Sequence, residues 1–141
     1  MRFLVIDDEF IALTKLVTIL SQFGTCDAAT SGDQAYSMVS RAIDESKPYI
    51  LMTIDIQMPG MNGLEFVKRV TKLEGKAHAF PSRKIIVTAA GYSTNVIIAK
   101  KWQCDAFLVK PVKKQLLLLK LVEFGIIDRN LTGSIPDENQ S

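Results

Sequence analysis

The sequence predicts an α/β fold built on a parallel sheet, and three observations carry that prediction. Short apolar runs recur along the chain, as in Phe3-Leu4-Val5-Ile6 and Tyr49-Ile50-Leu51-Met52-Thr53-Ile54. Between them lie stretches whose apolar residues return at helical spacing. Several runs also end abruptly on a polar residue, notably Asp7, Asp55, Thr88 and Lys110. Apolar runs bounded by turn signals read as strands buried on both faces. Strands that alternate with helices at this spacing imply right-handed crossover units in one parallel sheet.

The elements follow in order. Phe3–Ile6 forms a first strand, closed by Asp7-Asp8-Glu9. Phe10–Phe23 carries Ile11, Leu13, Leu16, Val17, Ile19, Leu20 and Phe23 near a helical period, with Gly24 as its stop. Thr25–Ala29 is a second strand. Thr30-Ser31-Gly32-Asp33 supplies turn and N-cap chemistry. A helix to about Ile43 then presents Ala35, Met38, Val39 and Ala42 on one face. The third strand runs into Asp55 and is followed by the Pro59-Gly60 turn. Asn62-Gly63 opens a helix with Leu64, Phe66, Val67 and Val70 inward, and Glu74–Arg83 reads as a polar connection containing His78. Lys84–Ala89 is a fourth strand, and Ser93–Lys101 a helix capped by Ser93 or Thr94. Phe107–Val109 is a fifth strand, stopped by Lys110-Pro111, and Val112–Phe124 is a leucine-rich last helix. Residues 125–141 lack a periodic pattern and read as a flexible tail or linker remnant after a domain of residues 1–124.

Composition narrows the function. A chain of 141 residues is the size of one domain. A net charge of only +2 provides no strong attraction to nucleic acid or to a membrane surface. Cys26 and Cys104 fit neither a disulfide framework nor a metal knuckle. Asp7, Asp8 and Glu9 interrupt the first apolar run, so it does not read as a signal peptide, and no window reaches the length of a membrane span. The expected location is the cytoplasm, with no membrane insertion and no direct DNA binding.

The chemistry lies at the strand ends. In open α/β sheets ligands bind outside the carboxyl ends of the strands. In a parallel sheet Asp7, Asp8, Asp55, Thr88 and Lys110 all come to that edge. Two carboxylates at about 4 Å repel by roughly 4 kcal/mol at an effective dielectric of 20. A hard divalent cation with oxygen ligands relieves that cost, and magnesium works beside phosphate with one or two carboxylates and several waters. Three carboxylates are balanced by one Mg²⁺ and the Lys110 ammonium. A carboxylate beside such a cation can attack phosphorus and form an aspartyl phosphate. The phosphoryl group brings three acceptor oxygens, for which Mg²⁺, Lys110 and the Thr88 hydroxyl are the expected partners.

Here the motifs Phe3-Leu4-Val5-Ile6-Asp7-Asp8, Asp55-Ile56-Gln57-Met58-Pro59-Gly60-Met61-Asn62-Gly63, Ile86-Val87-Thr88-Ala89 and Phe107-Leu108-Val109-Lys110-Pro111 resemble those of CheY-like response regulator receiver domains. The resemblance covers residues 1 to about 124 and implies a flavodoxin-like (βα)5 sandwich with sheet order 2-1-3-4-5. It implies Asp55 as phosphoacceptor and Asp8 as a direct metal ligand. Asp7 would act mainly through water, and the Gln57 carbonyl would be another ligand. Mg²⁺ is the implied metal, with Mn²⁺ as a substitute. Lys110 and Ala89 would contact the phosphoryl group, and the Lys110–Pro111 bond would be cis. Thr88 and Phe107 would form a switch that alters the face made by the Ser93–Lys101 helix, the fifth strand and the last helix. The implied partners are a sensor histidine kinase or phosphotransfer protein and a downstream protein target. The domain would catalyse only its own phosphotransfer and slow hydrolysis.

Several residues depart from that pattern or exceed it. Asn62 stands where aspartate is usual, and Gln103-Cys104-Asp105 removes a glycine expected after the Ser93–Lys101 helix. Trp102 reads either as a partner anchor or as a packing residue. In the last helix Leu117, Leu121 and Phe124 satisfy one stripe, yet Leu116, Leu118, Leu119 and Val122 are apolar too. A helix apolar nearly all round needs a second partner. The expectation is a target or a homodimer through the last two helices, with cover by Ile126, Ile127, Leu131 and Ile135 as the alternative. An Asp-nucleophile phosphohydrolase and a binding module that is never phosphorylated remain alternatives. The first lacks a second carboxylate at Gln57; the second leaves the full polar set unexplained.

Overall fold

The centre of the molecule is β3 (Leu51–Asp55), buried at every position because it has a strand on each side and helices on both faces. The chain is described here by a computed structural model covering residues 1–89 and 104–132. Its remaining elements are β1 (Arg2–Ile6), α1 (Phe10–Leu20), β2 (Thr25–Ala29), α2 (Gly32–Asp44), α3 (Gly63–Lys76), β4 (Arg83–Thr88), β5 (Ala106–Val109), α4 (Lys114–Glu123) and a 3-10 turn at Arg129–Thr132. The sheet runs β2-β1-β3-β4-β5 with every pair parallel. That is the order the receiver resemblance implies. The expected helix at Ser93–Lys101, and with it Ala90, Trp102 and Gln103, lies outside the described residues.

Strand alternation divides the core into two layers. Leu4, Ile6, Met52, Ile54 and Ile86 face α2 and α3, where they meet Val39, Phe66, Val67 and Val70. Phe3, Val5, Leu51, Ile85, Val87 and Leu108 face α1 and α4, against Leu16, Leu20, Leu117 and Leu121. Side-chain caps set two helix starts. Ser31 Oγ accepts from the Gln34 amide at 3.1 Å, and Asn62 Oδ1 accepts from the Glu65 amide at 2.9 Å. Asn62 is thus a good N-cap, which is the structural use of the residue that departs from the family pattern.

Most element ends fall within two residues of expectation, and three differences bear on the packing. The first helix ends at Leu20 rather than Phe23, because Gln22 and Phe23 donate to the Ile19 and Leu20 carbonyls in a tighter turn. There Gly24 passes so near the Met1 carbonyl that a Cβ would sit 2.5 Å from its oxygen. The third helix runs past Glu74 to Lys76, so Glu74 is not in a polar connection but is a buried helical residue. Its carboxylate takes Lys84 Nζ at 2.6 Å and both the amide and hydroxyl of Ser82 at 2.8 Å. The third difference lies at the last helix and tail. Leu118, read as part of the surplus apolar face, is only 3% exposed and belongs to the core beside Leu117 and Leu121. Val122 and Phe124 pack partly against the same layer, and the Arg83 guanidinium lies 5.1 Å over the Phe124 ring. The chain then turns back through the Ile126 amide bond to the Leu121 carbonyl, at 2.9 Å, and buries Ile126 and Ile127. Ile126 and Ile127 thus join the layer that holds Leu117 and Leu121. Of the surplus face, Leu116 remains exposed and Leu119 half-buried.

Candidate metal centre and phosphoacceptor site

The carboxyl ends of β1, β3, β4 and β5 carry the site, because parallel pairing brings them to one edge. Asp55 pairs in register with Val87, one residue before Thr88. The Lys110 amide donates to the Thr88 carbonyl at 3.0 Å, so β5 delivers its lysine to the same edge. The Asp7 amide donates to the Ala29 carbonyl at 3.0 Å, which holds the end of β1. Asp7, Asp55 and Thr88 are buried; Asp8, Gln57 and Ala89 are exposed. Phe107 is half-buried in β5, paired with Ile86 and packed against the α2–α3 layer. The Lys110–Pro111 peptide is cis.

The loop after β3 closes tightly on the site. The Gln57 amide donates to Asp55 Oδ1 at 3.2 Å, and the Gly63 amide donates to the Ile56 carbonyl at 3.0 Å. A Cβ at Gly63 would lie 2.2 Å from the Asp55 carbonyl oxygen. Only glycine allows α3 to start this close to the strand end. Gly60 takes the turn at φ +77°, in the left-handed region that favours glycine.

Lys110 is the only described cation within ion-pair distance of the cluster. Its ammonium lies 2.8 Å from Asp7 Oδ2, 2.8 Å from Glu9 Oε1 and 3.3 Å from Asp55 Oδ2. One carboxylate oxygen from each of Asp7, Asp8 and Asp55 falls within 4.8 Å of the others. The charges do not balance, and Asp55 records the imbalance. Burial and then the Asp7 charge raise its carboxyl to about 6, although Lys110 and the Gln57 amide pull the other way. Burial works to lower the Lys110 ammonium, but the carboxylates of Asp7, Glu9 and Asp55 outweigh it and hold the group above the usual lysine range. The same ammonium holds Glu9 below the usual carboxylate range.

These residues fit a hard divalent cation. All the donors are oxygens, which suits Mg²⁺ or Mn²⁺. Asp7 Oδ2 is buried and, despite the nearby ammonium, accepts no aligned hydrogen bond among the described residues. An orphaned buried carboxylate oxygen is costly unless something positive meets it.

The structure thus brings together Asp7, Asp8, Asp55, Gln57, Thr88, Ala89 and Lys110 at one edge. Two contributors escape a reading of the sequence: Glu9, which shares Lys110, and Gly63, which lets α3 approach Asp55. Glu9 left a faint signal, since glutamate is a poor side chain at a helix N-cap.

A sequence profile of the response regulator receiver domain matches residues 3–122. The chain is 33% identical over 119 residues to the protein PilH of Pseudomonas aeruginosa, covering 83% of this chain and 91% of that protein. It is 35% identical over 123 residues to a chemotaxis protein CheY homologue of Campylobacter jejuni, covering 86% and 89%. Among solved structures, the receiver domain of the Arabidopsis thaliana histidine kinase CKI1, complexed with Mg²⁺, superposes with a TM-score of 0.73 at 27% identity, covering 89% of this chain and 91% of that one. No described helix is long and apolar enough to cross a membrane. With its sheet order, its acidic edge and these likenesses, the chain belongs to the response regulator receiver domain family, the CheY-like modules of two-component signalling.

Proposed function

We propose that this chain is a phosphorylation-controlled switch in which Asp55 accepts a phosphoryl group from the phosphohistidine of a sensor kinase or phosphotransfer protein. The observation that carries this reading is the Lys110 ammonium 3.3 Å from an Asp55 carboxylate that is itself clustered with two others. An Asp55 carboxylate oxygen forms a bond to phosphorus as the P–N bond of the donor breaks. The electron pair stays on the ring nitrogen, which takes up a proton. Lys110 holds one phosphoryl oxygen, and the Thr88 hydroxyl and Ala89 amide hold another. Asp7, Asp8, Asp55 and the Gln57 carbonyl would hold Mg²⁺, which when bound neutralises charge on the transferring group. The Mg²⁺ in the Arabidopsis receiver supports that assignment.

Movement of Thr88 toward the phosphoryl group and of Phe107 into the space it leaves would then change the face formed around β5 and α4, and with it a protein target. The direct test is labelling with phosphoramidate in the presence of Mg²⁺. Incorporation of one phosphoryl group, lost in Asp55→Asn and in excess chelator, is expected. Undiminished labelling of Asp55→Asn would falsify the assignment.

A further inference from the structure

Glu9 stands at the N-cap of α1 with extended backbone (φ −89°, ψ 117°), yet its side chain makes no cap hydrogen bond. An N-cap side chain ordinarily accepts from the first-turn amides. Here the carboxylate reaches along the same sheet edge to the end of β5 and takes Lys110 Nζ at 2.8 Å. The Glu9 amide is pinned meanwhile by Asp7 Oδ1 at 2.9 Å, so the backbone is fixed and only the side chain is free to turn. Of the three carboxylates on Lys110, Glu9 alone is largely exposed and lies outside the metal-type cluster.

If Asp55 is the phosphoacceptor, a phosphoryl group there needs the Lys110 N–H that now donates to Glu9. A carboxylate left in that position would face the incoming anion as a like charge. We infer that Glu9 is a positioning residue that competes with the phosphoryl group for Lys110 and must release it for the acyl phosphate to form. Room for that release exists. Glu9 lines a groove of about 490 Å³ with Ile11, Ala12, Lys15, Val87 and Pro111, so a freed carboxylate would still be in a space that also holds a lysine. The inference rests on the phosphoacceptor reading and adds to it a built-in competitor.

The test compares phosphoramidate labelling of the wild type, Glu9→Gln and Glu9→Asp at saturating Mg²⁺. Glu9→Gln should label roughly two- to fivefold faster, the size expected when a partly exposed ion pair no longer competes. Glu9→Asp keeps the charge but loses the reach, and it should share most of that gain. The gain should shrink toward unity as salt rises from about 0.1 M to about 1 M, because the screening length falls from about 10 Å to about 3 Å. A structural role for Glu9 would not produce that salt dependence. Glu65→Gln removes an exposed carboxylate of similar kind, paired with Arg69 at 2.9 Å, and should label at the wild-type rate. Labelling of Glu9→Gln at or below the wild-type rate, or an equal gain in Glu65→Gln, overturns the competitor role while leaving the phosphoacceptor reading intact. No labelling of the wild type overturns both.

Discussion

The two ends of the sheet each hold a lysine against buried carboxylates, and they solve the problem in opposite ways. At the amino end, Lys84 and Glu74 are almost wholly buried and meet at 2.6 Å. Every other contact there is complementary: Ser82 donates to Glu74 twice, and Lys84 also donates to the Ser82 carbonyl at 3.1 Å. One cation meets one anion, and among the described residues no buried polar side-chain atom there is left without a partner. At the carboxyl end, one ammonium serves Asp7, Glu9 and Asp55, Asp8 adds a further charge nearby, and Asp7 Oδ2 has no aligned donor. A balanced buried pair is complete without a ligand. An unbalanced cluster is complete only with one. The same residue types therefore build a brace at one end and a site at the other.

The largest expected effect breaks the brace. Glu74→Ala leaves Lys84 buried and uncompensated, and loss of one partner from such a pair costs about 3–5 kcal/mol. Urea unfolding should report that loss, while labelling of the folded fraction at Asp55 persists. If unfolding is unchanged, the contrast between the two ends fails.

The next effect loads the site. Mg²⁺ at a hundredfold excess over its Kd should raise unfolding free energy by about 2.7 kcal/mol. Because Asp55 must be ionised to take part, affinity should fall as pH drops below about 6. A thermal shift of equal size at pH 5 and pH 7.5 would remove Asp55 from the ligand set.

Without metal, the same carboxylate should make the fold pH-sensitive in a defined direction. Its folded value of about 6 lies above the unfolded value of about 3.9. Below about pH 4 both states are protonated; between there and pH 6 the folded state alone keeps the proton. Stability should therefore be greatest at the acid side of this window and fall as pH rises through it, by about 1–2 kcal/mol once solvent screening is allowed for. Asp55→Asn should flatten that slope. A slope of opposite sign would show that Lys110 already neutralises the cluster.

The finest comparison separates neighbours on α4, and its smallest effect is at Leu116. Leu118→Ala should cost about 2–5 kcal/mol as a core truncation, and Leu116→Ala no more than about 0.5 kcal/mol as a surface change. Equal costs would mean that Leu118 is not the core residue its burial indicates.

Much of this was legible in the sequence because strands buried on both faces are continuous apolar runs, and their ends are marked by sharp polar residues. Asp7, Asp55, Thr88 and Lys110 stand out for that reason. The brace was not legible. Glu74 lies at a helix end among polar residues, and Lys84 opens a strand, so each alone reads as solvated; only packing α3 on β4 puts them together. Leu118 misled for a related reason. A helix surrounded by leucine does not reveal which side turns inward, and Ile126 and Ile127 widen the buried stripe only after the chain folds back.

The sequence by itself determined the alternation of strands and helices, the strand ends and the identity of the acidic and basic side chains. These follow from local periodicity and from where apolar runs stop. Tertiary structure alone decided which lysine serves which carboxylate, that Glu9 shares Lys110, and that Gly63 lies against Asp55. The Lys110 contacts join residues far apart along the chain, such as Glu9 and Lys110, separated by 101 positions. Their geometry is set by the parallel register, which no local pattern encodes.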